Sequence, residues 1–361
     1  MKFRYSEWDD ALADMLRQFE TLRSLFNHLL LQTDGDVEEA FRWLEFLKQK
    51  GILPPGFDLD AFRAEMEKQD IIRQEGDRAV LTKKGERSIR QESLDLIFGQ
   101  LRKGAGGEHR TSHTGEGSET LPESRAYVFG DSIADLDQIQ TIRSALRHGL
   151  DDINITEDDL QVHEKEMRTS VATVLCLDIS HSMILYGEDR ITPAKRVALA
   201  LSELILTRYP KDSLDILLFG DDARVVPLEE LTYSGVGPYH TNTKAALQLA
   251  QRILRTKKHV QKQIFMITDG KPSAMFEEGR LYKNSIGLDP KIVNRTLDEA
   301  VACRRKNIAI TTFMVAQDHA LVEFVEEMTR LNKGRAYYTG LDNLGGYVFA
   351  DFVRNRRRVV R

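Results

Sequence analysis

Cysteine is nearly absent: the 361 residues hold two, Cys176 and Cys303. They stand far apart, one in an apolar strand pattern and the other in an amphipathic helix pattern, without metal-ligand spacing. Both read as buried, reduced thiols that pack as small hydrophobes, which fits a reducing compartment. No apolar run approaches the length that crosses a bilayer. The first residues, MKFRYSEWDD, lack the apolar core of a secretory signal, so a cytoplasmic protein is expected. Excess positive charge is missing too. With 51 Lys+Arg against 56 Asp+Glu the formal charge is −5, and no global field favours nucleic acid or anionic membranes. The chain has no G-x-x-x-x-G-K-[ST] loop, which argues against ATP hydrolysis by this chain; any ATPase involved is another protein.

What is present is an ordinary globular composition, 41% hydrophobic and 30% charged, arranged in three parts. Residues 1–102 read as a helical region. SEWDDALADMLRQFETLRSLFNHLL opens with Ser6 and Asp9 in capping-box spacing and continues at helical period. DVEEAFRWLEFLKQKG starts on Asp36 and Glu39 and stops at Gly51, and DLDAFRAEMEKQ makes a short helix. A hairpin is expected within residues 70–82, turning at Glu75-Gly76-Asp77, before a last helix in KKGERSIRQESLDLIFGQLRK. Residues 103–124 are rich in Gly, Ser, Thr and Glu and read as a flexible linker, with His109 and His113 as solvated loop histidines. From residue 125 to 361 apolar strand candidates (VATVLCLD, LDILLFG, QIFMITDG, IAITTFMVA) alternate with amphipathic helices. That alternation predicts an α/β domain with a mostly parallel sheet covered on both faces.

In such sheets, ligands bind at the carboxyl ends of strands. The stretch LCLDISHSM, residues 175–183, ends an apolar strand in Asp178, with Ser180 and Ser182 at alternate positions beyond it. HTNTKAAL places Thr241 at a helix start, and MITDGKPS ends another strand in Asp269. All five side chains offer oxygen, a donor set that selects Mg²⁺, Ca²⁺ or Mn²⁺ over zinc or copper. Asp and Ser after a strand also serve as plain turn and capping residues. Within the same segments, Asn242 and Thr243 read as helix caps, His181 as a spacer, and Asp131, Asp135 and Asp137 as a polar connection.

D-x-S-x-S, a Thr within T-N-T and a later T-D-G together resemble the metal-ion-dependent adhesion site of von Willebrand factor A (VWA) domains. YVFGDSIADLD, PAKRVALALSELILTRYPKDSLDILLFG and GRAYYTGLDNLGGYVFADFVRNRRR are similar to a bacterial branch of that family. That branch is similar to the VWA subunit of magnesium chelatase and to VWA partners of MoxR-type AAA+ ATPases. The resemblance covers residue 125 to the end. It implies a doubly wound, Rossmann-like sheet, preceded here by the helical region with its winged-helix-like hairpin. It implies Ser180, Ser182 and Thr241 as direct or near-direct ligands, and Asp178 and Asp269 as ligands directly or through water. The ion would be Mg²⁺, or Mn²⁺, with an open position for a partner's Asp or Glu. The implied role is a non-catalytic adaptor that presents a client protein to an AAA+ ATPase.

Rival readings come from other classes. A phosphatase of the haloacid-dehalogenase type also sets an aspartate beside Mg²⁺ after an apolar strand, but it needs a second carboxylate two residues on, where this chain has Ser180. A serine hydrolase lacks its G-x-S-x-G elbow. Nucleic-acid binding rests on the hairpin and on the basic end of the chain, Arg354, Arg356, Arg357 and Arg358. Acids interleaved through the helical region and the negative net charge favour protein docking instead. The long connection after Asp269, residues 270–297, is expected to frame the metal face.

Overall fold

A computed structural model describes residues 22–53, 56–104, 119–127, 136–147, 155–166, 170–187, 189–269, 271–284, 287–315, 319–338 and 344–356. The first expected helix cap at Ser6 and Asp9 lies outside these residues, as do His109, His113, Asp131, Asp135, Arg357 and Arg358. The chain divides into two compact units: the N-terminal helices together with residues 171–350, and residues 106–170 with 351–361.

The first unit begins with helices α1 (Leu22–Gln32), α2 (Val37–Gln49) and α3 (Leu59–Lys68). Asp36 caps α2 as its spacing predicts, accepting from the Glu39 N–H at 3.0 Å. Strands β1 (Ile72–Glu75) and β2 (Arg78–Leu81) form the expected hairpin, and α4 (Lys83–Gly104) follows.

The central sheet contains β5 (Val171–Asp178), β6 (Ser213–Phe219), β7 (Ala223–Val226), β8 (Gln261–Thr268), β11 (Ile308–Met314) and β12 (Arg335–Tyr338). Its order is β12-β11-β8-β5-β6-β7, parallel throughout except for β7, which runs antiparallel on the edge. Each residue of β5 is buried, because helices cover both faces of a central parallel strand. The covering helices are α6 (Ile191–Arg208), α8 (Thr243–Thr256), α9 (Pro290–Arg305), α10 (His319–Asn332) and α11 (Leu344–Arg356), with a single turn α7 at Leu228–Leu231. Cys176 and Cys303 sit in one apolar cluster with Val174, Leu217, Leu247 and Met266. Both are free, and burial pushes both thiols up, which keeps them inert. A mostly parallel α/β sheet behind a helical region is thus the architecture.

Within this unit the N-terminal helices pack on α6 through charge as well as apolar surface. Lys195 is fully buried and donates to the Leu31 carbonyl at 2.9 Å and to Asp34 Oδ1 at 3.0 Å. Arg90 of α4 pairs with Glu203 at 3.2 Å, and Arg196 meets His28 Nδ1. The turn that presents Asp34 needs glycine next to it. Gly35 has φ +78°, and a Cβ there would stand 2.4 Å from the Tyr233 ring.

The second unit holds β3 (Glu119–Ala126), which begins inside the stretch read as linker. It pairs antiparallel with β4 (Gln161–Glu166). Helix α5 (Gln138–Ala145) lies between them in sequence, and Asp137 caps it by accepting from the N–H groups of Ile139 and Gln140 at 3.1 Å.

Candidate functional site

The strand order fixes where side chains converge. From β5 the chain moves outward to β6 on one side, and the later strands build outward from β8 on the other. The carboxyl ends of β5 and β8 therefore flank the point where the winding reverses, the crevice at which open α/β sheets bind ligands. Asp178 is the last residue of β5, and Asp269 follows directly on β8. Register sets Leu177 beside Ile267, so the two aspartates emerge side by side.

Beyond Asp178 the chain turns back at once. The Ser180 N–H donates to Asp178 Oδ1 at 2.9 Å, an Asx turn that points the Ser180 hydroxyl back over the strand end. The Oγ atoms of Ser180 and Ser182 are 3.0 Å apart. Ser182 Oγ donates to Asp269 Oδ1 at 2.7 Å, joining segments 87 residues apart. Four of the five expected residues thus form one continuous polar cluster.

Thr241 is buried on the same edge of the sheet. Its N–H donates to Ser273 Oγ at 3.0 Å, and its carbonyl accepts from the N–H groups of Ser273 at 2.9 Å and Ala274 at 3.2 Å. Next to it, the Asn242 N–H donates to the Gly220 carbonyl at 2.8 Å, beyond the end of β6. Thr241 is therefore clamped between the segments that follow β6 and β8. Asn242 caps α8 by accepting from the Ala245 N–H at 3.0 Å, the role its sequence position suggests.

Three further residues belong to the cluster. Thr268 donates its hydroxyl to Asp178 Oδ2 at 2.5 Å. Ser273 holds Thr241. Arg190 Nη1 reaches Asp269 Oδ2 at 2.7 Å, with its side chain 11% exposed. A compact loop brings Arg190 there: the Met183 N–H bonds the Ser180 carbonyl at 3.1 Å, and the Arg190 N–H bonds the Met183 carbonyl at 3.0 Å. Asp189 fixes the start of α6 by accepting from the Thr192 N–H at 3.0 Å. Thr268 stands beside Asp269 in the motif and was within reach of sequence reading. Arg190 carries no spacing signal, since only the loop closure returns it to the strand end.

Both carboxylates are almost fully buried. Burial, then the neighbouring Asp269 charge, pushes Asp178 up, against the pull of its hydrogen bonds from Ser180 and Thr268. Burial likewise pushes Asp269 up, against Ser182 and Arg190. Among the described residues, Asp178 is held by the neutral donors Ser180 and Thr268, and the Arg190 guanidinium faces the pair through Asp269. Two buried acids with hydroxyls between them make a cluster of hard oxygens whose ionisation burial disfavours. Those donors fit a small divalent cation.

The long connection after Asp269 departs from the sequence reading. Ala274–Glu277 (β9) and Arg280–Lys283 (β10) form an antiparallel hairpin, turning at Glu278 and Gly279, both at positive φ. It is moored beside the cluster. The Asn284 N–H donates to the Ser273 carbonyl at 2.8 Å, and Lys283 pairs with Asp221 at 3.1 Å.

A mostly parallel sheet with an antiparallel edge, and an Asp-Ser-Ser loop meeting an aspartate across the switch point, define a VWA-type domain. A family model described as the vWA domain of Rv0959-like proteins matches residues 171–353, and one for their third domain matches residues 119–165. The chain belongs to the Rv0959-like family of vWA-domain proteins. It is 34% identical over 288 residues to Uncharacterized protein Rv0959 of Mycobacterium tuberculosis, covering 77% of this chain and 42% of that one. Uncharacterized protein Mb0984 of Mycobacterium bovis matches with the same figures. The aligned region thus spans less than half the length of these relatives. Among solved structures, the vWF domain of the type V pili tip protein Mfa5 from Porphyromonas gingivalis aligns with a TM-score of 0.42 at 13% identity, over 54% of this chain and 98% of that one. The SpRpn10 VWA domain aligns with a TM-score of 0.37 at 17% identity, over 54% of this chain and all of that one (100%).

Proposed function

We propose that this chain is a metal-dependent protein-interaction module. Asp178, Ser180, Ser182, Thr241 and Asp269 would hold Mg²⁺ or Mn²⁺, as in a metal-ion-dependent adhesion site. The ion supplies a Lewis-acidic handle for a partner's Asp or Glu. The protein's own groups set its character: two aspartates neutralise part of the charge, and neutral hydroxyls leave enough to attract an external carboxylate. Excluding water from that contact strengthens it beyond an exposed ion pair, which is worth about 0–1 kcal/mol.

The observation that carries the reading is the Ser182–Asp269 hydrogen bond, which ties the Asp-Ser-Ser loop to the second aspartate at the sheet's switch point. The chain is read as non-catalytic, because Ser180 stands where a phosphatase of this kind needs a second acid. By its resemblance to the MoxR-associated branch, the partner is read as an AAA+ ATPase to which the chain presents a client. The test is to capture partners of the full chain with and without chelator, beside Asp178→Ala. An AAA+ ATPase recovered only by the metal-loaded wild type supports the adaptor. Equal recovery by Asp178→Ala removes the metal from the interaction, and turnover of a phosphate ester would replace the adaptor with an enzyme.

A further inference from the structure

Arg190 is the feature of the cluster that the metal reading leaves over. Its guanidinium lies 2.7 Å from Asp269 Oδ2, while Ser182 occupies Oδ1 of the same carboxylate. Both oxygens of Asp269 are therefore engaged from within the chain. The placement is built, with Arg190 held by its backbone bond to Met183, a fully buried side chain, and by the Asp189 cap one residue away. A short loop between two fixed points returns the arginine to this carboxylate and gives it little room elsewhere.

Two cations compete for one carboxylate. A divalent ion drawing charge from Asp269 lowers the electron density available to the guanidinium, and it stands as a like charge beside it. Whatever weakens the arginine contact when the ion binds must, by reciprocity, weaken the ion when the arginine is in place. The effect is large enough to matter because Asp269 is nearly fully buried and Arg190 largely so.

We infer that Arg190 is a tethered cation that occupies the second aspartate in the metal-free protein and sets the metal affinity of the site by competing for Asp269. The inference rests on the metal-site reading above and deepens it. Arg190 stabilises the metal-free cluster by supplying positive charge to the buried acids. The same charge raises the metal concentration at which the ion takes over, so the site discriminates against weakly bound divalent ions.

The experiment titrates the full chain with Mn²⁺, following free Mn²⁺ by electron paramagnetic resonance, for wild type, Arg190→Gln, Arg190→Lys and Asp178→Ala. Arg190→Gln is expected to bind Mn²⁺ roughly tenfold more tightly than wild type, the scale of one lost ion-pair competitor. Arg190→Lys, which keeps the charge, is expected to stay near wild type. Equal or weaker binding by Arg190→Gln overturns the role of Arg190 while leaving the metal site standing. Absence of saturable Mn²⁺ binding in wild type and in Arg190→Gln, or unchanged binding in Asp178→Ala, overturns the metal site itself. A second measurement needs only the folded wild type: Mg²⁺ should speed solvent exchange of a protected arginine side-chain N–H seen by ¹⁵N NMR. Unchanged exchange at saturating Mg²⁺ counts against competition.

Discussion

Ser182 Oγ lies 2.7 Å from Asp269 Oδ1, and the two residues are separated by 87 positions and a crossing of the sheet's switch point. Together with the Arg190–Asp269 and Thr268–Asp178 bonds, that contact closes the cluster by linking the loop beyond β5 to the end of β8. Ser182→Ala should therefore weaken Mn²⁺ binding without unfolding the protein, since a hydroxyl-to-carboxylate bond is worth about 1.5–3 kcal/mol. Calorimetric titration with Mn²⁺ beside a thermal melt checks both halves. An undiminished affinity would remove Ser182 from the site.

Asp178 offers the opposite sign in stability. It is buried with its carboxyl pushed up, so its charge is costly in the metal-free protein. Asp178→Asn keeps the shape and drops the charge, and the Thr268 hydroxyl can turn to accept from the new amide. Without metal the variant should melt no lower than wild type near pH 7, and up to about 1 kcal/mol higher. With saturating Mg²⁺ wild type should gain stability and the variant should not, as ligand linkage requires.

The buried ammonium of Lys195 makes a prediction about the helical region. Asp34→Asn takes away the carboxylate bonded to that ammonium, leaving the Leu31 carbonyl and the more distant Asp189 charge, and the asparagine still tolerates the positive φ of 53°. Breaking a buried pair from one side costs about 3–5 kcal/mol, with the lower end expected because Asp34 is part-exposed. Lys195→Met should cost less, since it removes the buried charge itself. Urea unfolding of the two variants gives the order; a reversed order would refute the account.

His28 predicts a pH dependence. Burial, then the charge of Arg196, holds its imidazole well below the ordinary value of 6.5. The folded protein resists a proton that the unfolded chain accepts, so this group's contribution to stability is present above pH 6.5 and is lost as pH falls below it. The slope approaches about 1.4 kcal/mol per pH unit for one proton. His28→Asn should flatten the profile between pH 6.5 and 5, measured by denaturant midpoints.

The hairpin predicts a separation of functions. Phe276 is 39% exposed on β9, with the strand's start tied to Thr241 through the Ala274 N–H. If the hairpin frames the partner, Phe276→Ser should weaken partner binding by about 1–2 kcal/mol while Mn²⁺ affinity stays unchanged. Loss of both together would mean that the hairpin acts by holding Thr241.

Much of the frame is written locally. β5 announces itself as a run buried on both faces, and Asp36 and Asn242 cap their helices through bonds three residues away. Asp178, Ser180, Ser182 and Asp269 could be grouped because strand ends and alternate spacing are local facts. Arg190 and Ser273 could not, since their roles come from loop closures that composition does not encode. The hairpin at residues 274–283 had a legible turn in Glu278-Gly279, but its four-residue strands carry too little alternation to stand out. Lys195 reads as one polar face residue of an amphipathic helix, and only the arrival of Asp34 from 161 positions away makes it an interior group.

That arrival has a practical outcome for anyone cutting the gene. A fragment beginning at Val171 would keep every strand of the central sheet and each oxygen of the cluster. It would also strip α6 of Asp34, Arg90 and His28, baring an ammonium, a carboxylate and a guanidinium that the intact chain seals under its first helices. The smallest piece worth expressing therefore includes those helices, even though residues 105–170 separate them in sequence from the sheet they protect.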